Sequence, residues 1–166
     1  IEERIAMTIK TGESLPNATF KTMSATGIVD VSTDALLRGK KVARFGLPDT
    51  YTPVCSAYDL PGYVEHTAKL RAEGFIEIAC VSVNAPVVMA ARAKEHGATG
   101  KVTMLCGVDG SFTRASGLVV DLAQYGLPGR SEYYSMVVDN GVVMKLEIEE
   151  PVFDHDGTSA ACFLRG

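Results

Sequence analysis

No basic surplus runs through this sequence: 16 Lys and Arg stand against 20 Asp and Glu, for a net charge of −4, and no run of Lys or Arg exceeds two. A dedicated nucleic-acid or anionic-membrane surface needs a local excess of positive charge, so neither is expected. No apolar stretch approaches the roughly 18 residues of a membrane helix, so no span is expected. Cysteine is sparse. Cys55, Cys80, Cys106 and Cys162 form no Cys-x-x-Cys, and His66, His96 and His155 lie near none of them in sequence. Thiols so far apart fit neither a disulfide-dense scaffold nor a structural zinc site, and no metal or cofactor is expected. There is no internal repeat and no low-complexity segment, and the composition excludes a collagen, a coiled coil and a disordered tail.

What is present is an ordinary globular chain of 166 residues, with 46% apolar and 22% charged side chains. That length suits one domain, here taken as residues 1–166 with a polar N-terminal arm over 1–14. Ala18 to Met23 and Ile28 to Val31 read as short strands around Thr26-Gly27. Ser32 or Thr33 caps a short helix that Gly39 closes. Val42 to Leu47 is an apolar run broken only by Arg44, the mark of a buried central strand. Pro48 and Pro53 make the following segment a loop. Leu60, Tyr63, Val64, Thr67 and Leu70 then recur at helical offsets, in one helix that starts after Cys55 and ends at Gly74. Ile76 to Val83 is a strand, and Asn84 is the expected cap of a helix with Pro86 in its first turn. Val102 to Cys106 is a third core strand, and Phe112 to Gly117 a helical turn. Two β-branched runs meet at Asn140-Gly141, the sequence of a tight type I′ hairpin. Strand, helix, strand, helix, strand and hairpin make an α/β domain with a mixed central sheet flanked by helices.

The chemistry points to Pro48-Asp49-Thr50-Tyr51-Thr52-Pro53-Val54-Cys55. A cysteine in the first turn of a helix meets unpaired backbone N–H groups and the positive end of the macrodipole. Both favour thiolate, so Cys55 is expected to titrate below the free value of about 8.5. Thr52 is close enough in sequence for its hydroxyl to bond the sulfur or a bound oxygen. Cys80 and Cys106, inside apolar strands, read as buried and inert thiols.

Thr52-Pro53-Val54-Cys55 resembles the Thr-Pro-x-Cys signature of the peroxiredoxins. Phe45-Gly46-Leu47-Pro48, Leu60-Pro61-Gly62-Tyr63, Cys80-Val81-Ser82-Val83-Asn84 and Tyr134-Ser135-Met136-Val137-Val138 are similar to the atypical two-cysteine, peroxiredoxin-five subfamily. The resemblance runs from about Gly12 to Cys162. It implies a thioredoxin-like fold and a thiol-dependent peroxidase acting on hydrogen peroxide and small organic hydroperoxides. Cys55 would be the peroxidatic nucleophile, Thr52 would align the peroxide oxygens, and Pro48 would shield the thiolate. Cys162, in Asp156-Gly157-Thr158-Ser159-Ala160-Ala161-Cys162, would be the resolving thiol. An external thiol reductant, from a thioredoxin or glutathione system, would restore the enzyme. A homodimer, or a place in a larger complex, is implied through the region of Tyr51 and Pro86. Reduced thiols suit the cytoplasm or a mitochondrial matrix, and a first residue of Ile1 leaves room for a targeting segment upstream.

The departures carry equal information. The family's catalytic Arg position is Tyr133, a neutral phenol. Arg130 lies three residues earlier, on what reads as a loop, and is not expected to substitute. Asp49-Thr50 replaces a small Gly-Ala and brings a carboxylate near the thiol, which opposes ionisation. Asp59 and Arg92 stand where relatives carry His and Trp. Arg44 interrupts a strand that is apolar in the family; it is expected at a solvent edge, paired with Asp49, or in the active-site pocket. These changes motivate an alternative, a catalytically weak peroxiredoxin fold serving as a structural or binding subunit.

Overall fold

The computed structural model describes residues 7–49 and 60–149. Its main sheet has seven strands in the order β2-β1-β5-β4-β3-β8-β9. The hairpin β1 (Thr19–Ser24) and β2 (Gly27–Ser32) forms one edge. Parallel β3 (Lys41–Gly46), β4 (Glu77–Ser82) and β5 (Thr103–Cys106) form the centre, and β8 (Tyr134–Asp139) with β9 (Val142–Ile148) closes the other edge antiparallel. The sheet is mixed as expected, with antiparallel pairs at both ends rather than only at the last. At the β8–β9 turn, Asn140 and Gly141 take φ of 48° and 82°, the left-handed pair that a type I′ turn requires. The Asn140 side chain also accepts a hydrogen bond from the Gly39 amide at 2.7 Å, tying this hairpin to the segment before β3.

Helices cover both faces. On one, α2 (Leu60–Glu65), α3 (Thr67–Ala72) and α4 (Pro86–Glu95) set Leu60, Tyr63, Leu70, Met89 and Ala93 against Phe45, Ile78, Cys80 and Cys106. On the other, α1 (Thr33–Leu37) and α5 (Ser111–Ala115) bring Leu36, Leu37 and Phe112 onto Phe20, Val42, Val81 and Tyr134. Ser32 caps α1, its hydroxyl accepting from the Ala35 amide. The arm contributes Ile9 to this second core, Leu15 follows it there, and the Gly12 amide bonds the Val143 carbonyl.

Three local expectations need correction. The helix through Gly74 is two helices, broken at His66. The Thr67 hydroxyl bonds the carbonyls of Tyr63 and Val64, the acceptors that amides one turn later would take in a continuous helix. Asn84 does not cap α4. The N-cap is Ala85 with no side-chain cap, and Pro86 opens the helix, where its missing N–H costs nothing. Finally, Gly129-Arg130-Ser131 is no loop. It belongs to β7 (Leu127–Ser131), which pairs antiparallel with β6 (Val119–Leu122) in a separate two-stranded sheet.

Among the described residues no helix is long and apolar enough to cross a membrane, and no cluster of His, Cys, Asp and Glu could hold a metal ion.

Candidate active site

The central strand β3 delivers the chain to the site. Its pairing extends one residue further, as the Leu47 amide donates to the Val81 carbonyl at 3.2 Å, and then Pro48, lacking an N–H, ends the ladder. Pro48 is buried and Asp49 is half-buried. The described chain resumes at Leu60, the first residue of α2. Leu47 and Leu60 belong to one core cluster, so the two ends of segment 50–59 leave from the same face of the sheet. Of the four residues singled out in the sequence, the structure places Pro48. Thr52, Cys55 and Cys162 lie outside the described residues.

Tyr133, which stands where the resemblance puts an Arg, belongs to that same cluster. It is 1% exposed, and its hydroxyl has no hydrogen-bond partner among the described residues. Its backbone carbonyl accepts from the Glu149 amide at 2.9 Å, anchoring the start of β8. The face that carries both ends of the cysteine segment therefore presents a buried phenol and no guanidinium at this position.

The stem is held by polar contacts. Asp49 Oδ2 accepts from Asn84 Nδ2 at 3.0 Å and lies 3.5 Å from a terminal nitrogen of Arg130. Asn84 is fixed in turn by Ser82: their side chains bond, and the Asn84 amide donates to the Ser82 hydroxyl at 3.2 Å. Asp49 is thus paired with Arg130 and not with Arg44. Local sequence reading missed the roles of Asn84 and Arg130. An Asn ahead of a helix looks like a cap, and nothing near Arg130 in sequence signals that β7 faces the stem.

Arg44 also departs from expectation. It is neither at an edge nor at the solvent, because β3 lies between β4 and β8 and its side chain is 0% exposed. The guanidinium sits 4.2 Å over the Phe112 ring and 5.0 Å over Phe20, cation–π contacts that replace a carboxylate partner. Among the described residues none of its three nitrogens has a partner in hydrogen-bond geometry, and neither does the Tyr134 hydroxyl beside it. Burial pushes the Arg44 pKa down, with Tyr134 opposing that shift, and burial pushes Tyr134 up, with Arg44 opposing. Arg92, at the family's Trp position, is 2% exposed and packs on α4 against His96, with Glu95 at 3.8 Å. Burial, then the Arg92 charge, lowers the His96 pKa.

Cys80 and Cys106 are buried thiols, as expected. Burial pushes Cys106 up to about 11, the opposite of what a nucleophile needs.

The Redoxin family model matches residues 10–160. Among curated proteins, the chain is 37% identical over 150 residues to "Peroxiredoxin-2E, chloroplastic" of Arabidopsis thaliana, covering 88% of this chain and 64% of that one. It is 36% identical over 143 residues to "Peroxiredoxin-2C" of Oryza sativa, covering 86% of this chain and 88% of that one. Among solved structures, reduced Prx3 from Vibrio vulnificus in complex with hydrogen peroxide superposes with a TM-score of 0.90 at 39% identity, covering 95% of this chain and 98% of that one.

Proposed function

The chain belongs to the redoxin family, within which it is a peroxiredoxin, a thiol-dependent peroxidase; on that premise we propose that Cys55 is its peroxidatic nucleophile. The observation that carries this reading is the family match itself. It spans residues 10–160 and so includes Thr52 and Cys55, in a segment that leaves β3 at Pro48 and returns at α2. With Cys106 buried and its pKa raised, and Cys80 buried in β4, neither core thiol competes for the role.

In the proposed reaction the Cys55 thiolate attacks one oxygen of a hydroperoxide. The O–O bond breaks, the second oxygen leaves as water or an alcohol after protonation, and the sulfur becomes a sulfenic acid. Thr52 aligns the peroxide, and Pro48 keeps water from the sulfur. A second thiol, Cys162, condenses with the sulfenic acid, releasing water and forming a disulfide. An external dithiol, of the thioredoxin or glutathione kind, then reduces it by exchange. The substrates are hydrogen peroxide and small organic hydroperoxides. Pairing of two copies through the region of Tyr51 and Pro86, and residence in the cytoplasm or the mitochondrial matrix, complete the proposal.

Stopped-flow consumption of hydrogen peroxide by the reduced protein tests it. Cys55→Ser should lower the rate to that of a bystander thiol, and an undiminished rate would sink the assignment. Tyr133→Arg should raise the rate, because a positioned charged donor in a catalytic site is commonly worth about 10²–10³. Peptide mapping after one equivalent of peroxide should recover a Cys55–Cys162 disulfide. Accumulation of sulfinic acid at Cys55, with Cys162 still alkylatable, would make the mechanism one-cysteine.

A further inference from the structure

The main sheet is not closed evenly along its length. β1 pairs with β2 from end to end, but it joins β5 through one residue pair, Lys21 with Cys106. Thr22, Met23 and Ser24 stand beside β5 without pairing to it. Over this gap lies α4, and it lines the gap with Pro86, Ala90 and Ala93, which repeat at helical offsets of four and three. Side chains this small do not reach across. A cleft of about 620 Å³ is left between α4, the end of β1 and the start of β5. Small-molecule sites commonly span roughly 300–1,000 Å³.

The lining changes character along the cleft. Met23 from β1 and Met104 from β5 extend the apolar wall that α4 begins. Where the chain leaves α4 and enters β5, the lining turns polar, with Arg71, Glu77, Lys101 and Thr103. Arg71 donates one N–H to the Ile76 carbonyl at 3.0 Å, and the Lys101 ammonium meets no acceptor among the described residues. Glu77 already accepts from the Thr103 hydroxyl. Two cations against one engaged carboxylate leave this end positive, with unused donors.

We infer that this cleft binds a linear acyl carboxylate, its chain along Ala90, Ala93, Met23 and Met104 and its carboxylate met by Arg71 and Lys101. From Pro86 to Ala93 the helix offers about 10 Å of apolar wall, at 1.5 Å per residue, which suits a medium-length acyl chain. The two methionines suit it as well, because an unbranched thioether adapts to a flexible occupant. A neutral ligand of the same shape fits less well, since it leaves the charged donors unanswered. The inference does not rest on Cys55: Asp49 and Leu60, which bound the cysteine segment, do not line the cleft.

Octanoate is the probe, titrated into the full reduced chain and followed by backbone amide chemical shifts, with octan-1-ol as its neutral counterpart. Octanoate should give saturable shifts concentrated at Met23, Ser24, Ala90 and Gly100 to Met104, and octan-1-ol should bind more weakly. Lys101→Gln should weaken octanoate about two- to fivefold, the effect of one exposed charge contact, and leave octan-1-ol unchanged. Lys101→Glu should weaken octanoate further. Ala90→Trp fills the cleft and should abolish the shifts for both probes. The inference is overturned by no saturation below the concentration at which octanoate self-associates, or by shifts centred elsewhere. It is overturned equally by the same affinity for octanoate and octan-1-ol, or by octanoate binding that Lys101→Glu or Ala90→Trp leaves unaltered. If Ala90→Trp does not fold, the Lys101 variants decide, because that side chain is exposed and holds nothing in the fold. The readout does not use peroxide, so failure of the proposed function leaves this test standing.

Discussion

The two faces of the central sheet solve the same packing problem with different materials. On the face under α2, α3 and α4, the cluster against the strands is apolar, with the buried Arg92 set back on α4, and Phe45 stacks on Tyr63 with ring centroids 3.8 Å apart and planes 4° from parallel. On the face under α1 and α5, Phe20 and Phe112 lie 5.2 Å apart at 56° and share a fully buried guanidinium. Both arginine and phenylalanine come from β3, at Arg44 and Phe45, so one residue of register separates a hydrocarbon core from a cationic one. The lesson is that a strand can carry a charge through the middle of a sheet when one face supplies aromatic rings to receive it.

The contrast can be broken most severely on the neutral side. Phe45→Ala removes a stacked ring from the core and should cost about 3–5 kcal/mol, read as a drop in the urea midpoint. Gly46→Ala should cost about 1–3 kcal/mol, because the added carbon would lie 2.0 Å from the Tyr134 ring and the ring must shift. A melting temperature unchanged in that variant would mean the ring moves freely.

Arg44→Met sharpens the comparison. It takes the cation out of the second face, and removing a buried charge with no hydrogen-bonded partner among the described residues should raise stability by about 1 kcal/mol. A loss instead would show that the cation–π contacts outweigh desolvation. The smallest effect concerns the neutral face in alkali. Burial raises Cys106 from its ordinary 9.0 to about 11, so the folded state holds this proton more tightly than the unfolded chain. The resulting stability is complete below about pH 9 and is lost as the pH rises toward 11. Unfolding midpoints across that interval should fall less steeply in Cys106→Val.

The sequence was most legible where a local rule is strong. β3, β4 and β5 appear as β-branched runs between breakers, and Asn140-Gly141 names its own turn type. It was least legible where a distant partner overrides the local signal. Gly129-Arg130-Ser131 looks like a loop and is a strand only because β6 pairs with it, in a ribbon where the preceding Pro128 is tolerated as an edge residue. Asn84 looks like a cap and is claimed by Asp49. Arg44 looks bound for solvent and is taken by Phe20 and Phe112, which lie on elements far from it in sequence. At the site, the thiol and its threonine were readable as a motif, whereas the ion pair behind Asp49 depends on the fold bringing β7 to the stem.

The bare backbone at Gly46 has a consequence for how this protein can change over time. Gly46 and Tyr134 face each other across the β3–β8 ladder, and the ring fills the volume that any side chain at 46 would need. Neither position can drift alone. A larger residue at 46 must wait for a smaller one at 134, and a smaller one at 134 first opens a void beside Arg44. The intermediate sequences are the poorly packed ones, so descendants of this chain should exchange the two residues together or keep both.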